Sequence, residues 1–282
     1  MDQMRALAAL ACAALSGCAT LPSQDLSPGA QYVAMGSSYA AGAGIKPMKV
    51  DGPMRCGRSQ INYPTLLAED LSLDLRDASC GGAQTVHLLD AWDELPAQVE
   101  AVGPDTDLVT ITVGGNDLNF VGSMFAASCR AGVYRERFAD KDTGKCGDVT
   151  LPPQSEFDAV TDRMERLVAA IHDRAPRARI VFVQYIWVIP DRACEAAPLL
   201  EEDRRKLVAI GEGLAQATTS AARSTGSRVL AIDRLSRRHT ACDPEPWSAA
   251  LYEGFDFASA VPWHPNAAGH RAVAEAVADA LR

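Results

Sequence analysis

The chain is poor in the features that would mark several large protein classes. Beyond the N-terminus no stretch approaches the ~20 consecutive apolar residues of a bilayer-spanning helix, so the sequence offers no candidate for one. No basic run stands out, and 36 acidic residues outweigh 27 basic ones for a formal charge of -9. Nucleic acid and anionic membrane surfaces are poor partners for such a chain. There is no Cys-x-x-Cys pair and no histidine at ligand spacing, so a zinc site is discarded. What remains is ordinary for a folded globular protein: 48% apolar and 22% charged residues over 282 positions.

The N-terminus reads as a targeting segment. Arg5 precedes an apolar run from Ala6 to Leu15, followed by the small residues Ser16 and Gly17, the pattern of a secretory leader. Leu15-Ser16-Gly17-Cys18 also resembles a bacterial lipobox, which implies cleavage before Cys18 and lipidation of that cysteine. Residues 1–17 are therefore expected to be a lipoprotein leader, 18–29 a flexible tether and 30–282 one folded domain. The only contact with a membrane would be the lipid anchor, and the domain is expected to be a monomer. Cysteine use fits export. Setting aside Cys12 and Cys18, six remain (Cys56, Cys80, Cys129, Cys146, Cys194 and Cys242), enough for three disulfides in an oxidising compartment.

Along the remaining chain, short apolar or alternating runs predict five strands, at 31–35, 71–76, 108–113, 179–185 and 228–232. Between them, Phe157, Val160, Met164, Leu167, Val168 and Ile171 keep a helical period, as do Leu207, Ile210, Leu214 and Ala217. Val273, Val277 and Leu281 mark a last helix that Pro265-Asn266 could begin. The alternation predicts a three-layer α/β/α domain with a five-stranded parallel sheet in flavodoxin-like order. Two segments, 41–62 and 117–155, read as long irregular walls beside the rim of that sheet.

Four motifs then fall where strands end. Gly36-Ser37-Ser38-Tyr39, Ser79-Cys80-Gly81-Gly82-Ala83 and Gly114-Gly115-Asn116-Asp117 follow the first three strands, and Val261-Pro262-Trp263-His264-Pro265 precedes the last helix. In a doubly wound sheet these positions share one rim, outside the carboxyl ends of the strands. Together they offer a hydroxyl, backbone and side-chain amides and an imidazole, the set that acyl transfer needs. Each has a bland alternative. Ser38 could be only an N-cap, Ser37 could be the nucleophile instead, and Gly81 competes with Gly82. Asn116 could merely close a turn. The Gly-x-Ser-x-Gly elbow of the common α/β hydrolases is absent, because Ser38 is followed by Tyr39-Ala40. Tyr39, Tyr185, Trp187 and Phe120 could line an acyl pocket or simply pack the core. His87, His172, His239 and His270 read as structural or solvated.

Taken together the motifs resemble the SGNH (GDSL-type) hydrolase family, from about Tyr32 to the C-terminus. The resemblance implies a serine esterase or lipase acting on a small-molecule or lipid ester without metal or organic cofactor. It places the nucleophile at Ser38, the base at His264 and the oxyanion donors at Ser38, Gly82 and Asn116, with Ser37 standing where the family has Asp. Glycan or peptidoglycan O-acetylester hydrolysis by the same machinery is the alternative among enzymes. A non-catalytic lipid- or ester-binding lipoprotein is the alternative outside them. The resemblance, and the way each pair would flank a rim loop, imply the pairing Cys56–Cys80, Cys129–Cys146 and Cys194–Cys242. One departure stands out. The family's last block is usually Asp-x-x-His, but position 261 is Val. The expectation is a Ser38–His264 dyad whose imidazole is oriented by the Val261 backbone carbonyl, with a pKa near ~6.5. Asp256 is the rival acid.

Overall fold

A computed structural model describes residues 26–134 and 146–282. The expected leader, Cys18 and most of the expected tether lie outside them.

Five parallel strands form the central sheet: β1 (Gln31–Gly36), β2 (Asp74–Asp77), β3 (Thr106–Thr112), β4 (Arg179–Val183) and β5 (Arg228–Leu230), in the order β2-β1-β3-β4-β5. This is the flavodoxin-like order. In β1, β3 and β4 nearly every side chain is buried, whereas the edge strand β2 alternates between exposed and half-buried positions. Continuous burial in the middle of the sheet follows from covering both faces with helices.

The helices are α1 (Ser38–Ala41), α2 (Tyr63–Leu71), α3 (Val86–Leu89), α4 (Phe120–Arg130), α5 (Gln154–Arg174), α6 (Glu201–Thr225), α7 (Ile232–Leu235) and α8 (Ala267–Leu281). β2 lies on one side of β1, and β3, β4 and β5 on the other. Right-handed crossovers therefore place α2 on the opposite face from α5 and α6. The packing agrees: α2 lies against α8, α5 against α6, and α4 on α6. The periodic apolar residues of α5, from Phe157 to Ile171, are all buried. So are those of α6, which stops at Gly226 in the left-handed region, φ 69°. Asn266 caps α8 through Gly269 N–H at 2.9 Å.

Two local expectations need correction. The strand expected over 71–76 starts only at Asp74, because Leu71 ends α2 and Ser72 turns the chain at φ 55°. Asn62 Oδ1 accepts from Thr65 N–H at 3.0 Å and Pro64 occupies the first turn, so α2 is well capped. The segment 117–155 is not wholly irregular. It contains α4, whose Phe120, Met124, Ala127 and Cys129 are buried at helical spacing. Disulfides join Cys56 to Cys80, Cys129 to Cys146 and Cys194 to Cys242. The first ties the 41–62 wall to the loop after β2. The last closes 48 residues of sequence, α6 and β5 among them. Replacing Cys194 and Cys242 by Ser should lower the unfolding free energy by about 2–4 kcal/mol, measured by denaturant titration under non-reducing conditions. An unchanged midpoint would count against a stabilising bridge there.

Candidate active site

The rim is built first by backbone shape. β1 ends at Gly36, where φ is +143° and a Cβ would sit 2.2 Å from the Thr112 carbonyl oxygen, so no other residue fits. Ser37 is extended and donates its N–H to Thr112 O at 2.9 Å. Ser38 then opens α1, where first-turn N–H groups have no intrahelical acceptor. The two serines have different surroundings. Ser37 is fully buried and its Oγ lies 2.7 Å from Tyr185 Oη. Ser38 keeps 8% of its surface exposed, and its Oγ lies 2.8 Å from His264 Nε2.

His264 Nδ1 lies 2.8 Å from the Pro262 carbonyl. A carbonyl can only accept, so Nδ1 carries the proton and Nε2 presents its lone pair to Ser38 O–H. This corrects the expectation for Val261: the orienting oxygen belongs to the next residue. The reason is Trp263, at φ 60°, whose left-handed turn brings the i−2 carbonyl within reach of Nδ1. Val261 instead packs on Gly44, where its Cγ2 and N lie 2.8 Å from the place of a Cβ. Asp256 is exposed and accepts from Ala258 N–H at 2.9 Å, closing its own turn. The pKa expectation also changes. Burial pulls the His264 imidazole down to about 4, while the Pro262 hydrogen bond acts in the opposite sense.

The amide side of the rim is stitched from two loops. Gly82 follows β2 at φ +81°. The neighbouring Gly81 N–H is committed to Cys56 O at 2.9 Å. Asn116 donates one Nδ2–H to Ala83 O at 2.8 Å; the amide has a second. Gln84 Nε2 returns a bond to Asn116 O at 3.3 Å. Asp117 accepts from Thr85 N–H at 2.9 Å and from Arg163 Nη2 at 3.1 Å, pinning the two loops to each other and to α5. Sequence reasoning quoted Asp117 without giving it a role and missed Thr85, Arg163 and Gln98. Gln98 is buried and holds Gly36 at both ends, accepting its N–H at 2.7 Å and donating to its C=O at 3.0 Å. Asp117 was signalled by its place beside Asn116. Arg163 and Gln98 come from distant segments, and Thr85, two residues beyond Ala83, carries no marker of its own.

The remaining candidates lie outside the Ser38–His264 contact. His87 stacks on Trp92 and His239 on Trp247. His270 is buried, accepts Tyr63 N–H at 3.0 Å and is held down to about 3 by burial. Tyr39, Tyr185, Trp187 and Phe120 are all buried in the core. A cavity of about 280 Å³ beside β2, lined by Pro53, Arg58, Trp92, Leu95 and Gln98 among others, includes neither Ser38 nor His264. Among the described residues no cluster suited to a metal ion occurs and no helix is long and apolar enough to cross a membrane.

Comparison with known proteins adds an independent line. Residues 34–272 match the model of the GDSL-like lipase/acylhydrolase family. Lipase 2 of Streptomyces coelicolor is 34% identical over 261 residues, spanning 90% of this chain and 86% of the relative. An esterase of Streptomyces scabiei is 27% identical over 98% of this chain and 92% of its own length. Among solved structures, the extracellular lipase of Streptomyces rimosus superposes with a TM-score of 0.68 at 24% identity, covering 89% of this chain and 99% of that one.

A base is useful only while neutral, so the acid limb of kcat/KM reports the free-enzyme imidazole. With His264 held down to about 4, kcat/KM should stay flat as pH falls through 6.5 and drop only near about 4. A pH–rate profile on a neutral ester checks this, with stability followed in parallel. A half-loss at about pH 6.5, the ordinary histidine value, would contradict it.

Proposed function

We propose, from the premise that the chain belongs to the GDSL-like lipase/acylhydrolase family, that this carboxylic-ester hydrolase works through a Ser38–His264 dyad. The observation that carries the reading is the 2.8 Å contact from Ser38 Oγ to His264 Nε2, on an imidazole whose other nitrogen is fixed by Pro262 O. Ser38 Oγ attacks the ester carbonyl as its proton passes to Nε2. The oxyanion forms against the backbone N–H groups of Ser38 and Gly82 and the second Nδ2–H of Asn116. Collapse breaks the acyl–oxygen bond, and His264 returns the proton to the leaving alcohol. Water, deprotonated by the same nitrogen, then attacks the acyl-enzyme, releasing the carboxylic acid and restoring Ser38.

The same reading extends to location. Six cysteines bonded in three pairs suit an oxidising compartment, in keeping with export. We assign residues 1–17 to a leader, Cys18 to lipidation and 18–29 to a tether for the domain 30–282, a monomer whose one hold on the membrane is its acyl chains. Palmitate labelling of the wild type and of Cys18→Ser tests the anchor. Labelling lost in the variant is expected, and equal labelling refutes it.

A chromogenic ester panel from acetyl to palmitoyl, run on the wild type, Ser38→Ala and Asn116→Ala, tests the chemistry. Ser38→Ala should lose about 10⁴–10⁶ in turnover and all labelling by a serine-directed organophosphate. Asn116→Ala should lose about 10²–10³ in kcat with little change in KM. Labelling that survives Ser38→Ala would move the nucleophile elsewhere.

A further inference from the structure

Ser37, which stands where the family has an acidic residue, plays no part in the chemistry above, yet it is fully buried at the reacting centre. Its Oγ lies 2.7 Å from Tyr185 Oη, and the same phenol oxygen accepts the Gly115 N–H at 3.2 Å. One hydroxyl of the segment after β4 thus ties the nucleophile turn after β1 to the loop after β3 that carries Asn116. The contact is close enough to dictate sequence on the far side. A Cβ at Gly115 would fall 2.7 Å from Tyr185 Cε1, so this glycine of the Gly-Gly-Asn-Asp motif is required by the tyrosine ring. Tyr185 also packs on Tyr39, with ring centroids 4.3 Å apart.

We infer that the Ser37–Tyr185 hydroxyl pair is a positioning strap: it sets the separation between Ser38 and the Asn116 arm of the oxyanion hole, without touching substrate. The pair is neutral throughout. Burial pushes the Tyr185 phenol up to about 12, so it keeps its proton across the working range, and either hydroxyl can donate to the other. A serine at 37 gives this partner a hydrogen bond without placing a charge in a fully buried site, where an ionised group is costly unless paired. The strap adds a side-chain tie between two loops that leave paired strands, beyond the point where Ser37 N–H bonds Thr112 O. Its loss would let donor and nucleophile drift apart, an error that shows in the transition state and not in ground-state binding.

This inference rests on the assignment of Ser38 and Asn116 above, and the experiment separates the two. Kinetics on a soluble chromogenic ester are measured for Tyr185→Phe, Ser37→Ala, the double variant and Asn116→Ala. Inhibition by an alkyl boronic acid, which forms a tetrahedral adduct on the serine, is measured beside them. Tyr185→Phe should lower kcat by about 10–100-fold, the scale of a small misplacement, with KM within about twofold. The boronate inhibition constant should rise by the factor lost in kcat/KM, since both read the tetrahedral geometry. Ser37→Ala should lose less, and the double variant about as much as Tyr185→Phe alone, because residues acting as one unit are not additive. Melting curves and circular dichroism check the fold. Should Tyr185→Phe not fold, Ser37→Ala decides by the same split between kcat and KM. A Tyr185→Phe enzyme with normal kcat beside a crippled Asn116→Ala would overturn the strap alone. So would a change confined to KM, or additive losses. Normal kcat in Asn116→Ala would overturn the oxyanion assignment and the strap with it.

Discussion

The orientation of His264 rests on a main-chain oxygen, and that oxygen is where it is because Trp263 occupies a conformation that bulky residues avoid. At φ 60° the residue carries a backbone strain of about 1–3 kcal/mol. What holds it there is a dense set of restraints. Trp263 N–H donates to Ala249 O at 2.6 Å, Tyr39 O–H donates to the Trp263 carbonyl, and the indole Nε1 donates to Ser128 Oγ at 3.1 Å. The indole is fully buried. Burying a side chain of ~150–250 Å² at ~25 cal/mol per Å² stabilises by about 4–6 kcal/mol, which exceeds the strain. The short antiparallel pair Ser248–Ala249 with His264–Pro265 adds a ladder immediately after the turn. The imidazole is therefore aimed by tertiary packing acting on the backbone. An acidic side chain three residues earlier is not needed.

Using a carbonyl instead of a carboxylate changes the electrostatics as well as the geometry. A carboxylate would stabilise imidazolium and raise its pKa; a carbonyl fixes the tautomer and contributes only a dipole. Burial then dominates and lowers the imidazole well below its ordinary value. His270 is lowered chiefly by its own burial, with a charge on His264 acting on it in the same sense. As the base of the proposed dyad, the His264 imidazole is ready over a wide pH range but weak. In the proposed dyad the charge on His264 at the moment of transfer is offset by the oxyanion opposite, which places more of the barrier on the proposed amide donors of Ser38, Gly82 and Asn116. Their placement matters correspondingly more, which fits the number of buried side chains devoted to it.

How far the sequence disclosed this site follows from how local each feature is. The serine, glycine, asparagine and histidine blocks were legible because each sits at the end of a strand or the start of a helix, where turn chemistry marks the spot. Sheet order was legible because continuous apolar strands alternate with amphipathic helices. The Pro262 carbonyl was not legible. Choosing i−2 over i−3 depends on a positive φ at tryptophan, a residue for which nothing in the sequence announces that conformation. The helix Phe120–Arg130 was hidden because its buried face includes the small residues Ser123, Ala126, Ala127 and Ser128, which carry little hydrophobic signal. The start of β2 was misplaced because Leu71 and Leu73 mimic an alternating strand while Leu71 belongs to a capped helix. Gln98 and Arg163 were beyond reach as functional residues, and Tyr185 was foreseen only as pocket lining or core packing, since each acts on a segment tens of residues away.

These distant side chains explain why loops after three different strands can hold donors and nucleophile in one arrangement. Each junction has its own buried connector. Gln98 supplies both an acceptor and a donor to Gly36, in the manner of an extra strand. Asp117, Thr85 and Arg163 lock the Gly82 loop to the Asn116 loop. Tyr39 reaches from the nucleophile helix to the turn before the base. Loops are ordinarily the mobile part of an α/β domain, and catalysis by preformed dipoles tolerates little mobility, because a donor that must be reoriented during the reaction stabilises less. The fold resolves the conflict by fastening each loop to another loop or to an adjacent helix through groups shielded from water, where a hydrogen bond is stronger and its loss more costly. Gly36 and Gly115 belong to the same solution: each is glycine because a neighbouring segment, Thr112 or Tyr185, approaches too closely for a Cβ. The glycines that first signalled a site are thus the points where its rigid parts are pressed together.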